Sequence, residues 1–178
     1  GVSKTQVSQN IRRRLPYVQA VQVLRRLPNT VSITVTESAA AAQLEGEGGW
    51  LINASGKLLE QANGEQVLTV TGLTPLAPAA GTHLVTDEAA AFKRESLLGL
   101  LQALEERELL EQAMYIDLTR DAWIEMEFTQ RFRVKLPYGA DYLHKLRALE
   151  AAISSREEYE TGIMDLTQPD YDVVFQPD

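Results

Sequence analysis

The chain has 178 residues, 44% of them apolar and 24% charged, enough for one large or two small folded units and unlike the composition of a disordered segment. Its net charge of −8 makes nucleic acid a poor partner, and the absence of Cys removes thiol catalysis, thiolate metal sites and disulfides. The two histidines, His83 and His144, lie 61 residues apart, so a His-based triad or metal site has little to draw on, and no cofactor or metal is expected.

No run approaches the ~18 apolar residues of a membrane span. The start at Gly1-Val2-Ser3, without an initiator Met, suggests a piece of a longer protein. Charge is unevenly placed. Residues 1–36 carry Lys4, Arg12, Arg13, Arg14, Arg25 and Arg26 and no acid, a charge of +6, which leaves −14 for the rest. That asymmetry suggests two units with different surfaces.

Ser3 followed by Gln6 is a capping-box pattern, and Val7, Ile11 and Leu15 recur on one helical face until Pro16 stops the helix. Val21 and Val23, the turn Leu27-Pro28-Asn29, and Val31, Ile33 and Val35 alternating with Ser32, Thr34 and Thr36 predict a β-hairpin packed by one face on that helix. The small residues Ala39 to Ala42 and the stretch Glu45-Gly46-Glu47-Gly48-Gly49 mark a change of unit. A second hairpin joins Trp50-Leu51-Ile52 to Lys57-Leu58-Leu59 through Asn53-Ala54-Ser55-Gly56. Asn53-Ala54-Ser55 also fits the glycosylation sequon, but its composition favours a turn. Val67 to Val70 reads as a short strand, and a Pro- and Ala-rich loop follows through Gly81.

From about Asp87 to Glu106, Ala91, Leu97, Leu98, Leu101 and Leu104 line one face of an amphipathic helix that covers a sheet. Ile116-Asp117-Leu118-Thr119 then leads into a strand from Trp123 to Phe128, and Arg131 to Leu136 alternates again. A second helix, about Asp141 to Ser154, turns Tyr142, Leu143, Leu146, Leu149 and Ile153 inward. Met164-Asp165-Leu166-Thr167 leads into Tyr171 to Phe175. Asp117 and Asp165 are 48 residues apart in matching contexts, so one strand-and-turn pattern is used twice. The expected result is a meander of antiparallel strands with a helix between the two copies.

Two equivalent aspartates could form an acid/base pair. Asp-Leu-Thr between strands suits an Asx or Thr turn better, and duplication explains the match without chemistry. No P-loop, dinucleotide fingerprint, nucleophile elbow or zinc-protease motif is present. Arg12, Arg13, Arg14, Arg25 and Arg26 form a possible basic patch. A solvated face explains it first; an anionic membrane or acidic partner would suit it better than nucleic acid, since Tyr17 is the one aromatic nearby. Trp50 and Trp123 are core residues by default. The terminal strand Tyr171 to Phe175 has a chance of lying at a sheet edge, where a partner's strand could add, unless Asp170 and Asp172 merely blunt it.

Taken together these segments resemble the extracytoplasmic part of the bacterial cell-division family FtsQ/DivIB. The resemblance rests first on Leu15-Pro16-Tyr17-Val18 through Arg25-Arg26-Leu27-Pro28-Asn29-Thr30-Val31-Ser32-Ile33-Thr34-Val35-Thr36-Glu37, similar to that family's POTRA hairpin. Trp50 to Leu58 is similar to the opening of its β-domain, and Val67 to Leu73, Ile116 to Thr119, Lys145-Leu146 and Met164 to Thr167 follow in family order. The implied fold is α+β: a partial POTRA module (helix plus β-hairpin) at 1–42, lacking its first strand and helix, then a mostly antiparallel β-domain with two covering helices at 43–178.

The resemblance implies a non-enzymatic divisome scaffold. It would be anchored in the plasma membrane by one preceding helix, face outward at the division septum, bind FtsL and FtsB/DivIC, and help regulate septal peptidoglycan synthesis. FtsB-type partners would add a strand to the last strand, here at Tyr171, Val173 and Phe175. Arg120, three residues before Trp123, matches one partner-binding arginine, whereas Thr167 stands where the family has another. Two competitors are a POTRA module of secretion or outer-membrane assembly, which should show tandem POTRA copies, and a cell-wall hydrolase, which needs a cleft with convergent polar groups.

Overall fold

A computed structural model of the chain describes residues 16–26, 29–46 and 48–178. The expected helix before Pro16, with Arg12, Arg13 and Arg14, lies outside the described residues, as do Leu27 and Pro28 of the first turn. Strands β1 (Val18–Arg26) and β2 (Thr30–Glu37) form the expected antiparallel hairpin, with Val23 opposite Ile33 and Arg25 opposite Val31. Val21, Val23, Val31 and Ile33 therefore share one face of this two-stranded sheet.

A separate nine-stranded sheet begins at Ala42. Its strands are β3 (Ala42–Leu44), β4 (Trp50–Ile52), β5 (Leu58–Gln61), β6 (Leu68–Thr71), β7 (Ala113–Asp117), β8 (Ile124–Phe128), β9 (Phe132–Leu136), β10 (Gly162–Asp165) and β11 (Val174–Pro177). They lie in the order β11-β10-β9-β8-β7-β6-β3-β4-β5. Helices α1 (Ala91–Glu106) and α2 (Tyr142–Ser154) supply Leu97, Leu100, Leu101 and Leu104, and Tyr142, Leu146 and Leu149, to the core that the sheet's inward side chains share. On α1, Leu100 takes the buried place expected of Leu98, which instead lies over the turn at Gly56. Asp87 and Asp141 cap the helical segments, accepting from the amides of Ala90 and His144.

The sheet is not a simple antiparallel meander. β6 pairs parallel with β7 and β9 parallel with β10, because each pair is joined by a helix that carries the chain back along the sheet before the next strand starts. β3 also runs parallel to β6, and the remaining five pairings of this sheet are antiparallel. The doubled Asp-Leu-Thr pattern is the visible trace of a doubled unit. Strand, helix, parallel strand and antiparallel strand occur as β6-α1-β7-β8 and again as β9-α2-β10-β11, side by side in one sheet.

The hairpin meets the large sheet through polar contacts. Tyr17 donates its hydroxyl to Glu60, the buried Lys57 ammonium donates to the Val18 carbonyl, and Ser38 donates its amide to Tyr17. Burial, with the Glu60 carboxylate beside it, pushes the Tyr17 hydroxyl up to about 12. The sequon asparagine belongs to the same junction. Asn53 is buried, its carbonyl oxygen accepts from Ser55 and Lys57, and its amide donates to Ser38 Oγ at 2.7 Å, as a turn residue should.

Candidate partner-binding edge

The strand predicted from Tyr171 starts later, at Val174. Pro169 and Asp170 form a turn and Asp172 a bend, so Tyr171 stands before the strand, 67% exposed. Val173 flanks the strand and rests on the core. Phe175 lies within it, opposite Met164, and its ring is half-buried between Phe132, edge-on at 6.1 Å, and the Arg156 guanidinium at 5.1 Å. The Phe175 side chain is thus a structural anchor, and what β11 shows to the outside at that position is its backbone.

The phase of that backbone follows from two hydrogen bonds. Asp178 donates its amide to the Thr161 carbonyl at 3.1 Å, while Gly162, one residue on, donates to Arg131 on the β9 side at 3.2 Å. In an antiparallel pair the inward groups alternate, so residues 174, 176 and 178 face β10 and residues 175 and 177 face away. β11 has no neighbour on its far side among the described residues. The opposite edge differs. On β5, Leu58 donates to Thr82 and accepts from Gly81, and just before the strand Gly56 accepts from Leu84, so the loop 79–84 covers the start of that border.

Arg120 is not at this edge. It follows β7, four strands away, roughly 19 Å at the usual strand spacing. The register places Asp117, Glu125, Lys135 and Asp165 in one row across the outer face. Asp117 and Glu125 are like charges directly opposite, a destabilising pair. Arg120 Nη1 bridges them, 2.9 Å from Asp117 and 2.8 Å from Glu125. Its guanidinium and the Lys135 ammonium lie 5.7 and 4.8 Å from the Trp123 ring centre. Trp123 therefore sits on the outer face rather than in the helix-side core, whereas Trp50 packs against that core.

The two aspartates are turn residues of one design. Asp117 Oδ1 accepts from the Thr119 amide at 2.8 Å and hydroxyl at 2.6 Å; Asp165 Oδ1 accepts from the Thr167 amide at 2.9 Å and hydroxyl at 2.6 Å. The second oxygen is taken by Arg120 in one copy and by Gln168 in the other. Burial pushes both carboxyls up, but these donors outweigh it and hold both below the ordinary Asp value. Three strand spacings, roughly 14 Å, separate them, beyond the reach of a paired-carboxylate site. His83 lies on the loop against β5 and His144 on the exposed side of α2, 3.9 Å from Asp172. No cluster of three metal-ligating side chains occurs among the described residues. A cavity of about 730 Å³ between the starts of β3, β6 and β7 has Glu111 as its one ionisable lining residue.

Residues 1–38 match the family model of the FtsQ-type POTRA domain. The match ends one residue after β2 and so takes in the whole first hairpin. It ties this part of the chain to an FtsQ-like region and the protein to a role connected with cell division. A comparison with curated proteins gives no match. No helix among the described residues is long and apolar enough to cross a membrane.

Proposed function

We propose that the chain is the extracytoplasmic part of a membrane-anchored divisome scaffold of the FtsQ/DivIB kind, with no chemistry of its own. It binds FtsL and FtsB/DivIC-type proteins at the division septum and so helps regulate septal peptidoglycan synthesis. The FtsB/DivIC-type partner adds a strand to β11, where Val173 and Phe175 present the edge and Tyr171 stands exposed at its approach. The observation that carries this reading is the outward-facing Phe175 backbone on an uncovered edge, in a chain whose first hairpin matches an FtsQ-type POTRA domain. Main-chain hydrogen bonds supply affinity in such augmentation, and flanking side chains supply specificity. Arg120, already committed to Asp117 and Glu125, acts as a brace of the outer face and, through its exposed side, as a second contact.

Phe175→Pro tests this directly, because it removes an amide that makes no bond to β10, whereas Val174→Pro removes one that does. Titrating the extracytoplasmic segment of an FtsB/DivIC-type protein against the native chain, Phe175→Ala and Phe175→Pro should show binding that survives the first substitution and is lost in the second. Equal binding by Phe175→Pro and Phe175→Ala would place the partner elsewhere.

A further inference from the structure

The C-terminal end of β11 is built differently from its middle. By the alternation above, position 177 faces outward like position 175, and it is proline. An outward amide would be the next donor offered to an added strand; here the pyrrolidine ring stands in its place, with no N–H and with its Cδ directed at the space a partner's carbonyl would occupy.

Position 177 is also held so that it cannot slip to the inward phase. Its cross-strand neighbour is Gly162, at φ +152°, where a Cβ would lie 2.1 Å from the Gln176 carbonyl oxygen and 2.9 Å from Pro177 Cα. Beyond it, Asp178 is fastened three ways: its amide to the Thr161 carbonyl, Oδ2 to the Thr161 hydroxyl at 2.8 Å, and Oδ1 to Arg133 Nη2 at 2.9 Å. The two side-chain bonds hold the Asp178 carboxyl below its ordinary value, the Thr161 hydroxyl contributing most and Arg133 next.

We propose that Pro177 is the specificity-determining residue of the β11 edge: it ends an incoming strand's ladder at Phe175, sets that strand's register, and keeps two copies of this chain from pairing edge to edge. The proposal rests on the strand-addition reading and deepens it. One full hydrogen-bonded ring at Phe175 is available and the next is closed. A docked strand must turn away after it, and a second copy of β11 finds too short a ladder to hold. Proline on an exposed edge is a known device against such pairing.

Pro177→Val, with Pro177→Ala as a smaller second variant, restores the missing donor without touching any bond to β10. Far- and near-UV circular dichroism should match the native chain. Without partner, sedimentation at increasing concentration should show the variants associating at concentrations where the native chain stays monomeric. With the extracytoplasmic segment of an FtsB/DivIC-type protein, binding should tighten roughly three- to tenfold, the worth of one added hydrogen bond. Hydrogen exchange of the bound segment should show protection reaching two residues further than in the native complex. Unchanged self-association together with an unchanged protection pattern overturns the proposal. If the segment fails to bind even the native chain, the strand-addition reading falls, and the self-association measurement alone decides on Pro177.

Discussion

The two strand-helix-strand-strand units share a skeleton and differ in how their last strand ends up. β8 closes the first unit and is paired on both sides, by β7 and β9; β11 closes the second and is paired on one. Their turns differ in the same sense. Asp117 is completed by Arg120, a cation that also neutralises the neighbouring Glu125, whereas Asp165 is completed by the neutral Gln168. The interior unit must balance charges across three strands, and among the described residues the border unit has no strand beyond β11 to satisfy. Placement in the sheet, rather than local sequence, sets what each copy is free to do.

The largest effects should come from the glycines that seat each unit. A Cβ at Gly72, φ +94°, would lie 2.5 Å from the Leu118 backbone, which is locked between β6 and β7. Gly72→Ala should therefore cost about 4 kcal/mol or more, read by chemical denaturation. Gly162→Ala meets β11, which has no strand behind it among the described residues and can swing out, so global stability should fall less while the amides of β10 and β11 exchange faster. If both variants behave alike, the edge is not the softer border described here.

Next in size, Leu104→Ala on α1 and Leu149→Ala on α2 each empty a fully buried site and should each cost about 3 kcal/mol within one cooperative transition. Separate transitions would mean that the two units fold apart. The smallest contrast is in the turns. Asp117→Asn turns an amide donor toward Arg120, which cannot accept, and should cost about 1–2 kcal/mol; Asp165→Asn should cost less, because Gln168 can rotate its amide and present oxygen.

Both carboxyls are lowered in the folded chain, so their contribution is complete above the ordinary Asp value of about 3.9 and is lost as pH falls through the lowered folded values. Stability measured below about pH 4 should drop steeply in the native chain and less steeply in either Asn variant.

Much of this was legible in the residues. Alternation from Trp123 to Phe128 and from Arg131 to Leu136 gave the strands, since a half-buried strand imposes a period of two, but Trp123, read as core, lies on the face opposite Ile124, Met126 and Phe128. The Asp-Leu-Thr pair announced the duplication. β3 was not legible: Ala42-Gln43-Leu44 is three residues long, too short for any period, and looked like a linker of small residues. Parallel pairing was hidden because it depends on where the helices return the chain. The start of β11 was misplaced because Tyr171, Val173 and Phe175 alternate like a strand, although Pro169 and Asp170 turn the chain there. Pro177 carried a signal in plain view, a proline closing an alternating run, but its meaning appears only once the hydrogen-bond phase is known.

The loop lying against the start of β5 gives the sheet a direction. A sheet with two receptive borders can take a strand on each and propagate from chain to chain, as fibres do. Here the loop 79–84 takes up the outward amide and carbonyl of Leu58, where β5 begins, whereas no described residue lies against the outer side of β11. Among the described residues the two borders of this sheet are therefore unequal: a strand seated on β11 meets no loop, and one approaching the start of β5 meets a seat already taken.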